Sequence, residues 1–288
     1  MLPALLRSFG HGIRQLRKCS TLSNRDFLAQ FKGGSVDLNK DVDSGIATVT
    51  INNPDRHNAM TGEMMVQLED VVTDLECWAK GKAVVLHGAG GSLCSGGDLK
   101  TVLAIMDPVK GGRMSAHMQK TLNRLYCLPL LSVAIVQGHT LGGGAELSTA
   151  CDFRVMDRNA KIGFVASRMG VTPGWGGGMR LVQLVGRNGA MDLLVSGRVL
   201  GAEESLKLNL ACEVMDFKDA ESGVEDTVAW LKERVRGDPA VVQAAKKVVL
   251  NGMYMHNEVL LQGERDIFTS VWGGPAHQAA ASSKIKHK

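Results

Sequence analysis

Residues 130–136 form an apolar run without a charge, and they lead directly into Gly138-His139-Thr140-Leu141-Gly142-Gly143-Gly144-Ala145-Glu146. A run of that length and composition reads as a strand buried on both faces, as in a parallel sheet. Three consecutive glycines then open residues 145–150, which can be helical. At a strand-to-helix turn, glycine lets the backbone come close to a ligand. The first N–H groups of the helix have no partner within it, and the helix dipole stands behind them. Glu146 follows about one turn in, where a carboxylate can face the same ligand.

A second stretch gives the first its meaning. Residues 83–88 are another short apolar strand, running into Gly90-Gly91-Ser92-Leu93-Cys94-Ser95-Gly96-Gly97-Asp98-Leu99. Two strands that each end in a glycine-rich turn can aim two backbone donors at one oxygen. That geometry stabilises an oxyanion.

The rest of the chain supports an α/β reading. Residues 46–51 read as a strand. Met64, Met65, Leu68, Val71, Val72, Leu75 and Trp78 recur at helical spacing and mark a buried face. Residues 100–105 predict a short helix, Asp107-Pro108 to Gly111-Gly112 a break, and 113–126 a second helix. Two short strands are expected at 151–155 and 160–164, then helices near 179–187 and 189–196. From Ala202 the pattern predicts helices alone. Asp238-Pro239 starts one, with Asp as the cap and Pro in the first turn, and residues 258–272 form the last. The expected divisions are a basic, disordered leader over 1–30, a core over 35–200, a helical region over 201–275 and a frayed tail over 276–288.

With 288 residues, 44% of them hydrophobic, the chain is long enough for one large core or two small ones. A net charge of +4 does not call for nucleic acid, and no apolar run reaches the roughly 20 residues that span a bilayer. Cys19, Cys77, Cys94, Cys127, Cys151 and Cys212 include no C-x-x-C pair and no spacing with His that suits zinc. Free thiols in a reducing compartment are therefore expected. Cys94, beside the glycine loop, is expected to be the accessible one. Residues 1–25 carry five basic residues and no acidic one. That composition fits a mitochondrial presequence or an untargeted basic leader equally well.

The two glycine-rich stretches, with Ala150-Cys151-Asp152 and Pro173-Gly174-Trp175-Gly176-Gly177 behind them, resemble the enoyl-CoA hydratase/isomerase (crotonase) superfamily over roughly residues 35–275. The resemblance implies a crotonase-like ββα spiral with a C-terminal helical trimerisation region, an acyl-CoA substrate, no cofactor and no metal. It implies a homotrimer or hexamer, and no nucleic-acid or membrane partner. The N–H groups of Ser95 and Gly143 match the family's two oxyanion donors, and Glu146 matches the first of its two catalytic glutamates. The second, counted back from Pro173, falls on Ala166. Arg56, His57, Asn58, Ser95, Asp98, Leu99 and Lys100 match the loops that approach CoA, with Lys246 or Lys247 as further phosphate partners. Ala166, Trp175 and His139 are expected to line the substrate pocket.

Without the second carboxylate, efficient alkene hydration is not expected. Losing CO₂ from a malonyl-type thioester makes the enolate directly and needs no base, so an apolar wall at 166 suits it. The wording around residues 145–154, 175–177 and 271–275 is similar to the branch that decarboxylates ethylmalonyl-CoA and methylmalonyl-CoA, removing wrongly carboxylated esters. The alternatives are an enoyl-CoA isomerase or hydratase using Glu146, and a silent member that binds acyl-CoA or RNA. The resemblance favours the cytosol over the mitochondrial matrix.

Overall fold

A computed structural model describes residues 22–254. The start of the leader, the helix expected at 258–272, the motif at 271–275 and the tail at 276–288 lie outside the described residues. Two sheets organise the chain. The larger has the order β1 (Ser35–Asp41), β2 (Ile46–Asn52), β3 (Ala83–Gly88), β4 (Leu131–Val136), β6 (Phe153–Asp157), β9 (Glu213–Met215). The smaller has β5 (His139–Leu141), β7 (Lys161–Gly163) and β8 (Val199–Gly201).

The β1–β2 pair is an antiparallel hairpin, and every other pairing in the large sheet is parallel. Parallel neighbours need crossovers. Here they are α2 (Gly62–Glu76) between β2 and β3, then α3 (Leu99–Ala104) and α4 (Pro108–Tyr126) between β3 and β4. The chain then makes β5 and α5 (Gly143–Ser148) before β6. It returns to the large sheet through β7, α6 (Gly177–Ser196), β8 and α7 (Ala202–Lys207).

Alternation along the strands divides the interior. Val49, Ile51, Val84, Leu86, Ala134 and Val136 face the main core, which α2 closes with Met64, Met65, Leu68, Val72 and Leu75. The methionine stripe is thus core. Ile46, Ala83, Val85, Val133, Ile135 and Val155 face the other way, onto Leu231 and Val235 at the end of α8 (Ala220–Lys232). The last described helix, α9 (Pro239–Tyr254), begins at the Asp238-Pro239 signal. Its Lys246 ammonium, 6% exposed, donates to the Leu130 carbonyl and to Asp152, each at 2.7 Å.

Four expectations change. The leader ends earlier than residue 30, because α1 (Asn24–Leu28) buries Phe27 and Leu28 and pairs Arg25 with Glu69 and Asp70 on α2. An apparently free basic residue was already spoken for by carboxylates more than 40 positions away. The break at Gly111-Gly112 does not occur. Asp107 caps α4 by accepting from Val109 and Lys110, Pro108 opens it, and the helix runs through both glycines. The region after 201 is not all helical. Glu213–Met215 extends the large sheet beside β6, too short to show an alternating pattern. Lys246 is buried on the sheet, so it is not a phosphate partner.

Candidate active site

Ligands bind in open α/β sheets beyond the carboxyl ends of the strands. At those ends lie the loop after β3 and the turn between β5 and α5. They are joined by an isolated parallel bridge between Cys94 and Thr140, with the Leu141 N–H donating to the Cys94 carbonyl. Gly144 rests on that carbonyl so closely that a Cβ there would come 2.0 Å from the oxygen. Gly96, at φ +110°, lies against the start of α5. A Cβ on it would be 3.4 Å from the Gly143 nitrogen.

The turn at 53–58 holds the first loop from outside. His57 and Asn58 both adopt left-handed backbone (φ 50° and 57°), which Asn and His tolerate better than most residues. This conformation puts the fully buried Asn58 amide between two loops. Its oxygen accepts from the Asn53 N–H, and its nitrogen donates to the carbonyls of Ala89 and Ser92. Asn58 is therefore a staple between loops, with one bond to its oxygen and two from its nitrogen all directed inward.

The same turn decides which N–H groups are free. Ser95 donates to the His57 carbonyl at 3.0 Å, and Asp98 to the Met60 carbonyl at 2.9 Å. The Gly96 N–H meets the Cys94 sulfur at 3.4 Å. Among the described residues, Gly97 and Gly143 have no acceptor for their N–H, and both are partly exposed. The expectation for Ser95 is corrected: its donor is spent on the neighbouring turn, and the free one belongs to Gly97. Asp98, 5% exposed, caps α3 by accepting from the Thr101 N–H and hydroxyl, so it too is structural.

Glu146 is where the structure departs furthest from the sequence reading. Glu146 is 5% exposed, and its carboxylate is bonded to the 174–177 turn. It accepts the N–H of Gly174 at 3.1 Å, Trp175 at 2.8 Å and Gly177 at 2.9 Å. Burial pushes its pKa up, and those three N–H groups and Arg180 hold that rise back. Trp175, 4% exposed, lies against the 142–144 turn. A Cβ on Gly143 would come 2.6 Å from its ring carbons Cζ3 and Cη2. Ala166 sits half-buried on the short 3-10 turn Val165–Met169, beside Val165, whose methyl would be 3.9 Å from a Cβ on Gly142. His139 is exposed at the start of β5, in register with Lys161.

Three cations and one carboxylate border the outer cleft. A space of about 300 Å³ is lined by Lys32, Arg56, Lys100 and Asp98 together with Phe31, Asn53 and Thr61. Lys32, unflagged by the sequence, pairs with Glu63 at 2.9 Å, and Arg56 is 3.8 Å from Asp98. Leu99, 59% exposed, projects beside them, and His57 presents its ring at the surface.

Cys94 also departs from expectation. It is fully buried, and desolvation pushes its thiol up to about 12. In the folded chain at pH 8, a thiol reagent should modify exposed Cys77 and leave Cys94 and Cys151 unmodified until denaturant is added. Mass spectrometry of the labelled peptides reads this directly. Early labelling of Cys94 would mean that the loop opens.

Gly97 and Gly143 thus each present a backbone N–H without an acceptor among the described residues, in two loops joined by the Cys94–Thr140 bridge beyond a mixed α/β sheet. The chain belongs to the enoyl-CoA hydratase/isomerase family, whose sequence pattern matches residues 41–279. It is 46% identical over 271 residues to ethylmalonyl-CoA decarboxylase of Danio rerio, covering 93% of this chain and 90% of that one. It is 44% identical over 259 residues to ethylmalonyl-CoA decarboxylase of Homo sapiens, covering 90% and 84%. Among solved structures, an enoyl-CoA hydratase from Bacillus anthracis superposes with a TM-score of 0.78 at 27% identity, covering 87% of this chain and 95% of that one. One from Thermoplasma volcanium superposes with a TM-score of 0.77 at 25% identity, covering 87% and 97%.

Proposed function

We propose that this chain is a carboxy-lyase that removes CO₂ from short branched malonyl-type CoA thioesters, ethylmalonyl-CoA first and methylmalonyl-CoA second. The supporting observation is a pair of free donors, Gly97 and Gly143, with no available carboxylate beside them: position 166 is Ala, and Glu146 is bound to three backbone N–H groups. The thioester oxygen gains nearly a full negative charge as CO₂ leaves, and pre-aimed donors stabilise it without reorganising. Hydration asks for two carboxylates around one water, which this arrangement does not offer. The decarboxylases of Danio rerio and Homo sapiens support the same reading.

Lys32, Arg56 and Lys100 would receive the phosphates of CoA, and Ala166 with Trp175 would wall the space for the leaving carboxylate. The chemistry asks for no metal or cofactor. Exposed Met179, Val182, Met191 and Val195 on α6 suit assembly into a homotrimer or hexamer. Among the described residues, no helix is long and apolar enough to cross a membrane. The cytosol is the proposed compartment, and mitochondrial import of a reporter fused to residues 1–25 would overturn it.

Incubation of the full chain with malonyl-, methylmalonyl-, ethylmalonyl- and crotonyl-CoA tests the function. CO₂ should be released from the branched malonyl esters, ethylmalonyl-CoA fastest, with little hydration of crotonyl-CoA. Rapid crotonyl-CoA hydration without CO₂ release would sink this reading.

A further inference from the structure

The 174–177 turn is held on both of its faces. On the N–H side, Glu146 accepts from Gly174, Trp175 and Gly177. On the carbonyl side, the Ser115 hydroxyl of α4 donates to the Gly174 oxygen at 2.6 Å, and the Gln119 amide donates to the same oxygen at 3.2 Å. Arg180 donates to the Trp175 oxygen at 2.9 Å and to the Glu146 carbonyl at 3.3 Å, while its Nε donates to the Thr149 hydroxyl. Gly177 is pressed against Glu146 so closely that a Cβ on it would lie 2.5 Å from Cγ. The product of this clamp is the placement of one ring, the Trp175 indole, on which the Gly143 backbone rests.

A carboxylate has about four lone-pair positions, and three of Glu146's are taken by N–H groups that have no other acceptor among the described residues. To reach a substrate carbon it would have to abandon buried donors, each costly to leave unpaired. A general acid or base must come within hydrogen-bond reach of the proton it moves. We infer that Glu146 is a positioning residue, which fixes the Trp175 ring and through it the Gly143 donor, while the proton that ends the reaction comes from elsewhere. Ser115 acts on the same turn from the opposite face.

The inference rests on the decarboxylation reading, and its test separates the two. The full chain and its Glu146→Gln and Ser115→Ala variants are compared by three measurements. These are kcat and KM for CO₂ release from ethylmalonyl-CoA, the carbonyl stretch of bound ¹³C-labelled butyryl-CoA by infrared difference, and exchange of its α-proton into D₂O by NMR. Gln keeps one accepting oxygen and sets an N–H₂ against a backbone N–H. It should lower kcat at least tenfold with KM changed less than threefold, and move the carbonyl stretch back toward its frequency in water. Ser115→Ala should give the same pattern at about threefold, although a serine hydroxyl on α4 has no part in moving the proton.

Loss of α-proton exchange in Glu146→Gln, with CO₂ release and the carbonyl stretch kept at parental values, would make Glu146 the proton carrier and overturn the inference. So would a Ser115→Ala variant identical to the parent in kcat and carbonyl stretch. If the parent releases no CO₂ at all, the functional reading fails. The carbonyl stretch of bound butyryl-CoA in the three proteins then still decides whether the clamp sets the donor.

Discussion

Gly97→Pro will lower kcat for ethylmalonyl-CoA by about two to three orders of magnitude, the cost of removing one oxyanion donor. Proline has no N–H and so deletes the donor itself. The flanking backbone is held by bonds that proline leaves in place, from Met60 N–H to the Gly96 carbonyl and from Asp98 N–H to the Met60 carbonyl. The companion variant Gly97→Ala carries the same Cβ, which would meet the Val102 methyl at 3.1 Å, and keeps the N–H. It should stay within about tenfold of the parent, since only a methyl group has to move by a few tenths of an ångström. The comparison isolates the donor from the crowding. Turnover of the proline variant equal to that of the alanine variant, in chains with matched circular dichroism, would remove Gly97 from the site. The same experiment at Gly143 would be less clean, because any Cβ there runs into the Trp175 ring.

Ala166→Glu should cost nearly as much. The substrate carries its own carboxylate on the carbon next to the thioester. A second one about 4 Å away, at an effective dielectric of about 20, repels it by roughly 4 kcal/mol, which is about a thousandfold in rate. Ala166 lies half-buried on a short 3-10 turn and outside the hydrophobic core, so the larger side chain displaces no core packing and the fold should survive. The measurement is CO₂ release from ethylmalonyl-CoA, beside the melting temperature of the variant. Parental rates would mean that residue 166 does not face the leaving carboxylate. A gain of slow crotonyl-CoA hydration is not expected in this variant, because Glu146 is already committed to the 174–177 turn and does not complete a carboxylate pair.

The sequence made the strand–glycine–helix corners readable because glycine at a corner is a local property. The methionine stripe of α2 and the Asp238-Pro239 helix start were readable for the same reason: period and capping need only neighbouring residues. Which N–H is free was not readable. Ser95, Gly96 and Gly97 look alike as donors until the His57 carbonyl, 38 positions earlier, takes one of them. Asn58 and Asp98 look like surface polar residues until the turn folds their side chains inward. Glu146 sits at a helix start, where a carboxylate is favourable whatever it does. Its direction is set by three N–H groups 28 to 31 residues further along. Ser115 and Lys32 carried no signal at all, because their importance lies wholly in what the fold places opposite them.

The Lys246 ammonium has a consequence for how the chain is made. It joins Asp152 across 94 positions of sequence and the Leu130 carbonyl across 116. At a synthesis rate of about 5–20 residues per second, Asp152 waits some 5–20 seconds for its cation. During that interval Ser132 alone satisfies the carboxylate, through its N–H and its hydroxyl. The base of the central strands is therefore completed only once residue 246 has been made, and a chain that stops before α9 lacks the ammonium that joins Asp152 to the Leu130 carbonyl.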